Sequence, residues 1–87
     1  MTQGPHLVDW REFPNDLSAP LKALTLAGCD VVVERRVVET SNALDDHYRL
    51  RVVHGGRELV NAESSDVMGL TKYADEAYRA LSNHLER

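Results

Sequence analysis

Apolar and polar positions alternate most cleanly in "HYRLRVV", residues 47–53. Tyr48, Leu50 and Val52 fall on one side, and His47, Arg49 and Arg51 on the other. A period of two with one apolar side predicts a strand whose second face stays in water. Upstream, "DVVVERRVVET" is β-branched and predicts another strand, with Val31, Val33 and Val37 on one parity. Strict alternation would turn Arg35 inward, so a bulge or a rim position is expected there. Downstream, Gly55 and Gly56 supply a hairpin turn. A three-residue loop would set Val52 opposite Val60 and Leu50 opposite Ala62, whereas a two-residue loop would set Leu50 against Asn61. Matching apolar to apolar favours the longer loop.

Two stretches follow the helical period instead. In "NDLSAPLKALTLAG", Leu17, Leu21 and Leu24 make one stripe, Asp16 or Ser18 can cap, Pro20 is expected in the first turn, and Gly28 is a stop. From Ser65 or Asp66 onward, Val67, Leu70, Ala74, Ala77 and Leu81 step by three and four, an amphipathic helix of about five turns. Gly69 should weaken its first turn by up to ~1 kcal/mol relative to Ala. Residues 1–14 read as an irregular N-terminal arm in which Trp10 and Phe13 are the anchors that pack on the core. "SNALDD" reads as a polar connection between the first two strands.

The expected architecture is therefore α+β: an α-β-β-β-α two-layer sandwich, a three-stranded antiparallel meander with both helices on one face. Residues 15–87 form that single domain behind the arm of 1–14.

The element order and spacing, the hairpin "RLRVVHGGRELVNAES" and the small-residue helix "ADEAYRAL" resemble the double-stranded RNA-binding domain family from about Asp16 to Leu85. The resemblance implies RNA contacts at the first helix, at the loop between the first two strands, and at a lysine cluster opening the second helix. In those places this chain has Lys22, "SNALDD" with Asp45 and Asp46, and "SSDVMGLTK" with Lys72 and Asp66. Each lost phosphate contact lowers affinity multiplicatively, and carboxylates at the contact loop add repulsion. The fold is expected without the family's grip on duplex RNA. A second likeness is to the HicA-type mRNA-interferase toxins, carried by "AGCDVVV" after the first helix and by His47 in "DDHYRL". It implies an imidazole acting as general base on a ribose 2′-OH, with Arg49 and Arg51 beside it. Here Asp45 and Asp46 replace the family's Gly-Ser approach to that histidine.

Charge sharpens the picture. The 87 residues carry ten Lys plus Arg and fourteen Asp plus Glu, a net charge of −4, which counts against a general nucleic-acid binder. The segment from Arg35 to Arg57 is the basic part, with five basic and three acidic residues; the rest holds five and eleven. Arg36, His47, Arg49 and Arg51 are expected to form a basic strip on the solvent face of the sheet. That face lacks an aromatic residue for stacking bases, since Tyr48 points inward. Arginine is enriched at protein interfaces, so the strip is the candidate docking surface for another protein with an acidic surface. The strand from Glu58 to Ser64 is an expected sheet edge, open to strand addition or homodimerisation.

No other chemistry has a motif. Asp45, Asp46 and His47 are neighbours in an extended segment, point to opposite faces and chelate poorly; no metal site is expected. "VHGGRE" is a turn without a following helix, hence no phosphate loop, and no cofactor is implied. The lone Cys29 cannot form an internal disulfide and reads as a small buried residue at a helix end; it favours a reducing, cytoplasmic setting. "MTQGPHLVDW" has neither a basic region nor an apolar run, so neither a signal peptide nor a membrane span is expected. The reading is a small non-enzymatic protein-binding module, an adaptor, regulator or inhibitor, with accessory proteins of phage or mobile elements as an analogy of size and architecture. The rival reading is an RNA-binding protein or HicA-like ribonuclease using His47, Arg49 and Arg51.

Overall fold

The computed structural model describes residues 6–39, 41 and 43–85, and in it a fourth strand joins the three expected ones. β1 (His6–Val8), β2 (Asp30–Glu39), β3 (Leu44–His54) and β4 (Arg57–Ser64) form one antiparallel sheet in the order β1-β2-β3-β4. α1 (Asn15–Leu26) follows β1, and α2 (Leu70–Leu85) follows β4. The expected three strands are thus corrected to four, and the expected irregular arm to a strand and a turn over residues 6–14, while its residues 1–5 lie outside the described residues. His6, Leu7 and Val8 pair with Arg35, Glu34 and Val33, and Trp10–Glu12 form a 3-10 turn leading into α1. A three-residue strand is too short to show a period, which is why the pattern hid it.

Both helices cover the same face of the sheet. Leu17, Leu21 and Leu24 from α1 and Leu70, Ala74, Ala77 and Leu81 from α2 are buried against Val33, Leu50 and Val52. Each fully buried leucine contributes about 1.5–3 kcal/mol of transfer free energy, so this cluster is the main source of stability. Trp10 and Phe13 pack against its margin, as expected, and Phe13 meets the Tyr48 ring edge-on at 6.5 Å. α1 closes with a Schellman pattern, the Cys29 N–H donating to the Leu24 carbonyl at 3.0 Å and the Gly28 N–H to the Thr25 carbonyl at 3.0 Å. Its start differs from expectation: Pro14 is the N-cap, no side chain caps it, and Pro20 lies inside the helix.

The ladder between β2 and β3 runs without a break from Asp30↔Val53 to Glu39↔Leu44. Arg35 therefore sits in no bulge; it is exposed on the core-facing parity, opposite Tyr48, at the rim. β3 also begins earlier than "HYRLRVV", taking in Leu44, Asp45 and Asp46 from the expected connection.

The hairpin resolves the register differently from the sequence argument. His54 pairs with Arg57, so the loop is the two residues Gly55 and Gly56, with φ of 57° and 79°. Two positive φ values match a type I′ turn, whose twist suits the flanking strands. The apolar pairs Val52↔Val60 and Leu50↔Ala62 form all the same, because a bulge falls between Val52 and Val53. Glu58 pairs with Val53 and Val60 with Val52, leaving Leu59 as the extra residue, packed against the core. The tight turn and the apolar register are compatible once one residue is spent on the bulge.

Asp66 caps the short 3-10 turn Val67–Gly69 that leads into α2, accepting from the Met68 N–H at 3.1 Å. A Cβ at Gly69 would collide with Ser64 Oγ, so any larger residue there must displace that side chain. No helix among the described residues is long and apolar enough to cross a membrane.

Candidate functional site

β3 places His47, Arg49 and Arg51 on the face turned away from the helices, and β2 adds Glu34 and Arg36 beside them. All four residues expected for the basic strip do share one face: Arg36 lies opposite His47, and Glu34 opposite Arg49. The strip is not free charge, however. β4 brings Glu63 opposite Arg49, and its carboxylate stands among three basic groups. Arg36 donates to Glu63 Oε1 at 3.0 Å, His47 Nδ1 lies 3.7 Å from the same oxygen, and Arg49 reaches within 3.6 Å of Oε2. Arg51 donates through Nε to Glu58 at 2.9 Å. Three arginines and three glutamates share this face, and two of each, Arg36, Arg49, Glu34 and Glu63, enclose with His47 a cavity of 110 Å³.

The geometry leaves donor capacity unused. Arg36 Nε is buried without an acceptor among the described residues. The Arg49 contact at 3.6 Å is an ion pair beyond hydrogen-bond length, and Arg49 and Arg51 remain about half exposed. Side chains so placed hold one another in position yet can exchange partners, since exposed pairs contribute only about 0–1 kcal/mol.

Glu63 and Glu58 were missed by the sequence reading. Glu63 had a signal: the register Leu50↔Ala62 forces Arg49 opposite Glu63. Glu58 had none, because its approach to Arg51 depends on the bulge.

The contact places of the resembled RNA-binding family are also filled in a particular way. Asp66 stands at the start of α2, and Lys72 lies over the Tyr73 ring, 5.7 Å from its centre. Thr40 and Asn42, in the β2–β3 connection, lie outside the described residues. Asp45 and Asp46 stand in the ladder opposite Val38 and Val37 and so point to opposite faces, as expected for neighbours in a strand. Among the described residues no group of three metal-ligating side chains converges.

Comparison with protein-family models, with curated proteins and with solved structures finds no match. The likenesses to double-stranded RNA-binding domains and to HicA-type toxins therefore rest on the residues that carry them.

Proposed function

We propose that the protein is a non-enzymatic protein-binding module, a small adaptor, regulator or inhibitor that docks through the outer face of its sheet on a partner with an acidic surface. The observation that carries this reading is the Glu63-centred network. Arg36, His47 and Arg49 are arrayed around a carboxylate that is itself only partly enclosed, and the half-exposed Arg49 stands beyond hydrogen-bond length from it. A partner's carboxylate can take the place of Glu63 or Glu58 on guanidinium groups already held in position, which limits the entropy lost on docking. A phosphate backbone meets a poorer surface, because three glutamates stand between the arginines and Tyr48 turns its ring to Phe13 on the other face.

Strand addition along β4 is the companion route, for a second copy or another chain. Its usable length is Asn61–Ser64, since the bulge at Leu59 interrupts the edge.

The test places a photo-crosslinking amino acid at Arg49 and, as control, at Glu76 on the exposed side of α2, in the cells that produce the protein. Docking on the face gives a discrete protein adduct from position 49 alone, lost when Arg36 and Arg51 are changed to Glu. In parallel, backbone amide shifts are followed with short duplex and single-stranded RNA at low and moderate salt. Salt-sensitive shifts clustered on His47, Arg49 and Arg51 would overturn the reading in favour of RNA chemistry.

A further inference from the structure

The geometry points to a second docking site, at the opposite edge of the sheet, for an extended apolar segment of another protein that carries an acidic residue. This inference rests on the reading of the protein as a docking module but not on its arginine face.

β1 ends at Val8, opposite Val33, whereas β2 begins at Asp30. Asp30, Val31 and Val32 therefore have a strand beside them on the β3 side only. Among the described residues no strand covers this edge, and the chain turns at Asp9: its carboxylate accepts from the Arg11 N–H at 3.1 Å and from the Arg11 guanidinium at 2.9 and 3.1 Å. Along these three residues, about 10 Å of strand, the main-chain groups of alternate residues turn to the open edge and can receive an incoming strand.

The side chains around that edge are largely apolar on the helix side and mixed on the outer face. A groove of 740 Å³ runs beside it, lined by Leu7, Trp10, Leu26, Val31 and Val33, with Lys22 on its wall. Leu7 and Leu26 are the two most exposed large apolar side chains among the described residues, each 78% exposed, and both border this one groove. A smaller hollow of 400 Å³, with Val32, Val53, Asp30 and Arg51 in its wall, lies against the same residues 30–32. An added strand sends successive side chains to alternate faces, so residues i and i+2 can face the larger groove while the residue between them meets Val32 and Val53 beside Arg51.

Charge decides the rest of the occupant's chemistry. Arg11 is satisfied by Asp9, while Lys22 has no carboxylate within ion-pairing distance among the described residues. Asp9 and Arg11 also line the groove but neutralise each other, so Lys22 is its one unmatched charge and fits an Asp or Glu in the docking segment, placed within two or three residues of the paired stretch.

The experiment selects a displayed library of random 12-residue peptides on the whole protein and on Leu26→Asp. Leu26 and Lys22 are both exposed, so their variants should keep the fold, which amide spectra check. The expected result is enrichment of peptides with apolar residues at i and i+2 and a nearby Asp or Glu. Their affinity should fall at least tenfold with Leu26→Asp, and Lys22→Glu should shift the preference from acidic to basic peptides. A library that yields no binder overturns the site, as do binders indifferent to Leu26→Asp. If such binders lose affinity with Arg49→Glu instead, the edge site falls while the docking role of the outer face stands.

Discussion

Leu50 and Arg49 are adjacent on β3 and live under different physics. Leu50 is fully buried between the sheet and both helices, while Arg49 lies on the opposite face, about half exposed, beside Glu63. On the inner face stability scales with apolar area and packing, and any partner of the right shape serves. On the outer face it depends on pairs of charges that water and salt screen. The inner face therefore holds the fold, and the outer face is free to be spent on recognition. Substitution at the two neighbours should expose the difference at its widest. Leu50→Ala should cost about 2–5 kcal/mol, whereas Arg49→Ala should stay within about 1 kcal/mol. Urea unfolding midpoints measure both; comparable losses would mean that the two faces are not the separate systems described here.

The next largest effect sharpens the inner side. Gly69 stands where the turn before α2 crosses Ser64, whose Oγ donates to the Asp66 carbonyl at 2.7 Å and accepts from the Asp66 N–H at 3.1 Å. By helix propensity alone Gly69→Ala should stabilise by up to about 1 kcal/mol. Because the new Cβ would displace Ser64 Oγ from its two hydrogen bonds, a net loss of about 1–3 kcal/mol is expected instead. Adding Ser64→Gly should recover part of it. A more stable Gly69→Ala would show that the turn relaxes freely.

The same contrast explains what the sequence made legible. The inner face was readable because burial imposes a period: Leu17, Leu21 and Leu24, the alternation of β3, and the spacing of Leu70, Ala74, Ala77 and Leu81 all lie in the core as expected. β1 was not, since three residues carry no period, and its reason to pair lies in the exposed edge of a β2 distant in sequence. The hairpin was half legible. Apolar matching found the register, but a bulge and a two-residue turn deliver it where a longer loop was expected. On the outer face alternation correctly put Arg36, His47, Arg49 and Arg51 together. Alternation says nothing about partners, so the glutamates that temper the strip emerged only from the strand pairing.

The Arg36–Glu63 pair tests the outer side directly. A double-mutant cycle of Arg36→Ala and Glu63→Ala should give a coupling of about 0.2–1 kcal/mol, in the range of exposed pairs, and it should shrink between low salt and 1 M salt. The contact is 3.0 Å long and both side chains are partly exposed, which places it in that range. A coupling above about 3 kcal/mol and indifferent to salt would be the signature of a buried pair. It would assign the network to the fold, and the recognition role would lose its ground.

Cys29 gives the smallest effect and marks the limit of the inner face, at the junction of α1 and β2. It is 4% exposed, and burial pushes its thiol pKa up, with the charge of Asp30 acting in the same direction. A raised folded value means that the folded state holds the proton over a window in which the unfolded chain has already released it. Stability from this group is therefore complete below the unfolded value, near 8.5, and declines as pH rises through the window toward the folded value. Two measurements follow. Alkylation by iodoacetamide at pH 8 should be much slower in the native protein than in urea, because both access and thiolate fraction are reduced. The unfolding midpoint should fall between pH 8 and pH 10 more steeply in the wild type than in Cys29→Ala, which lacks the titrating group. Equal alkylation rates would place the thiol outside the protected layer, and the inner face would then end at Leu24, short of the β2 start.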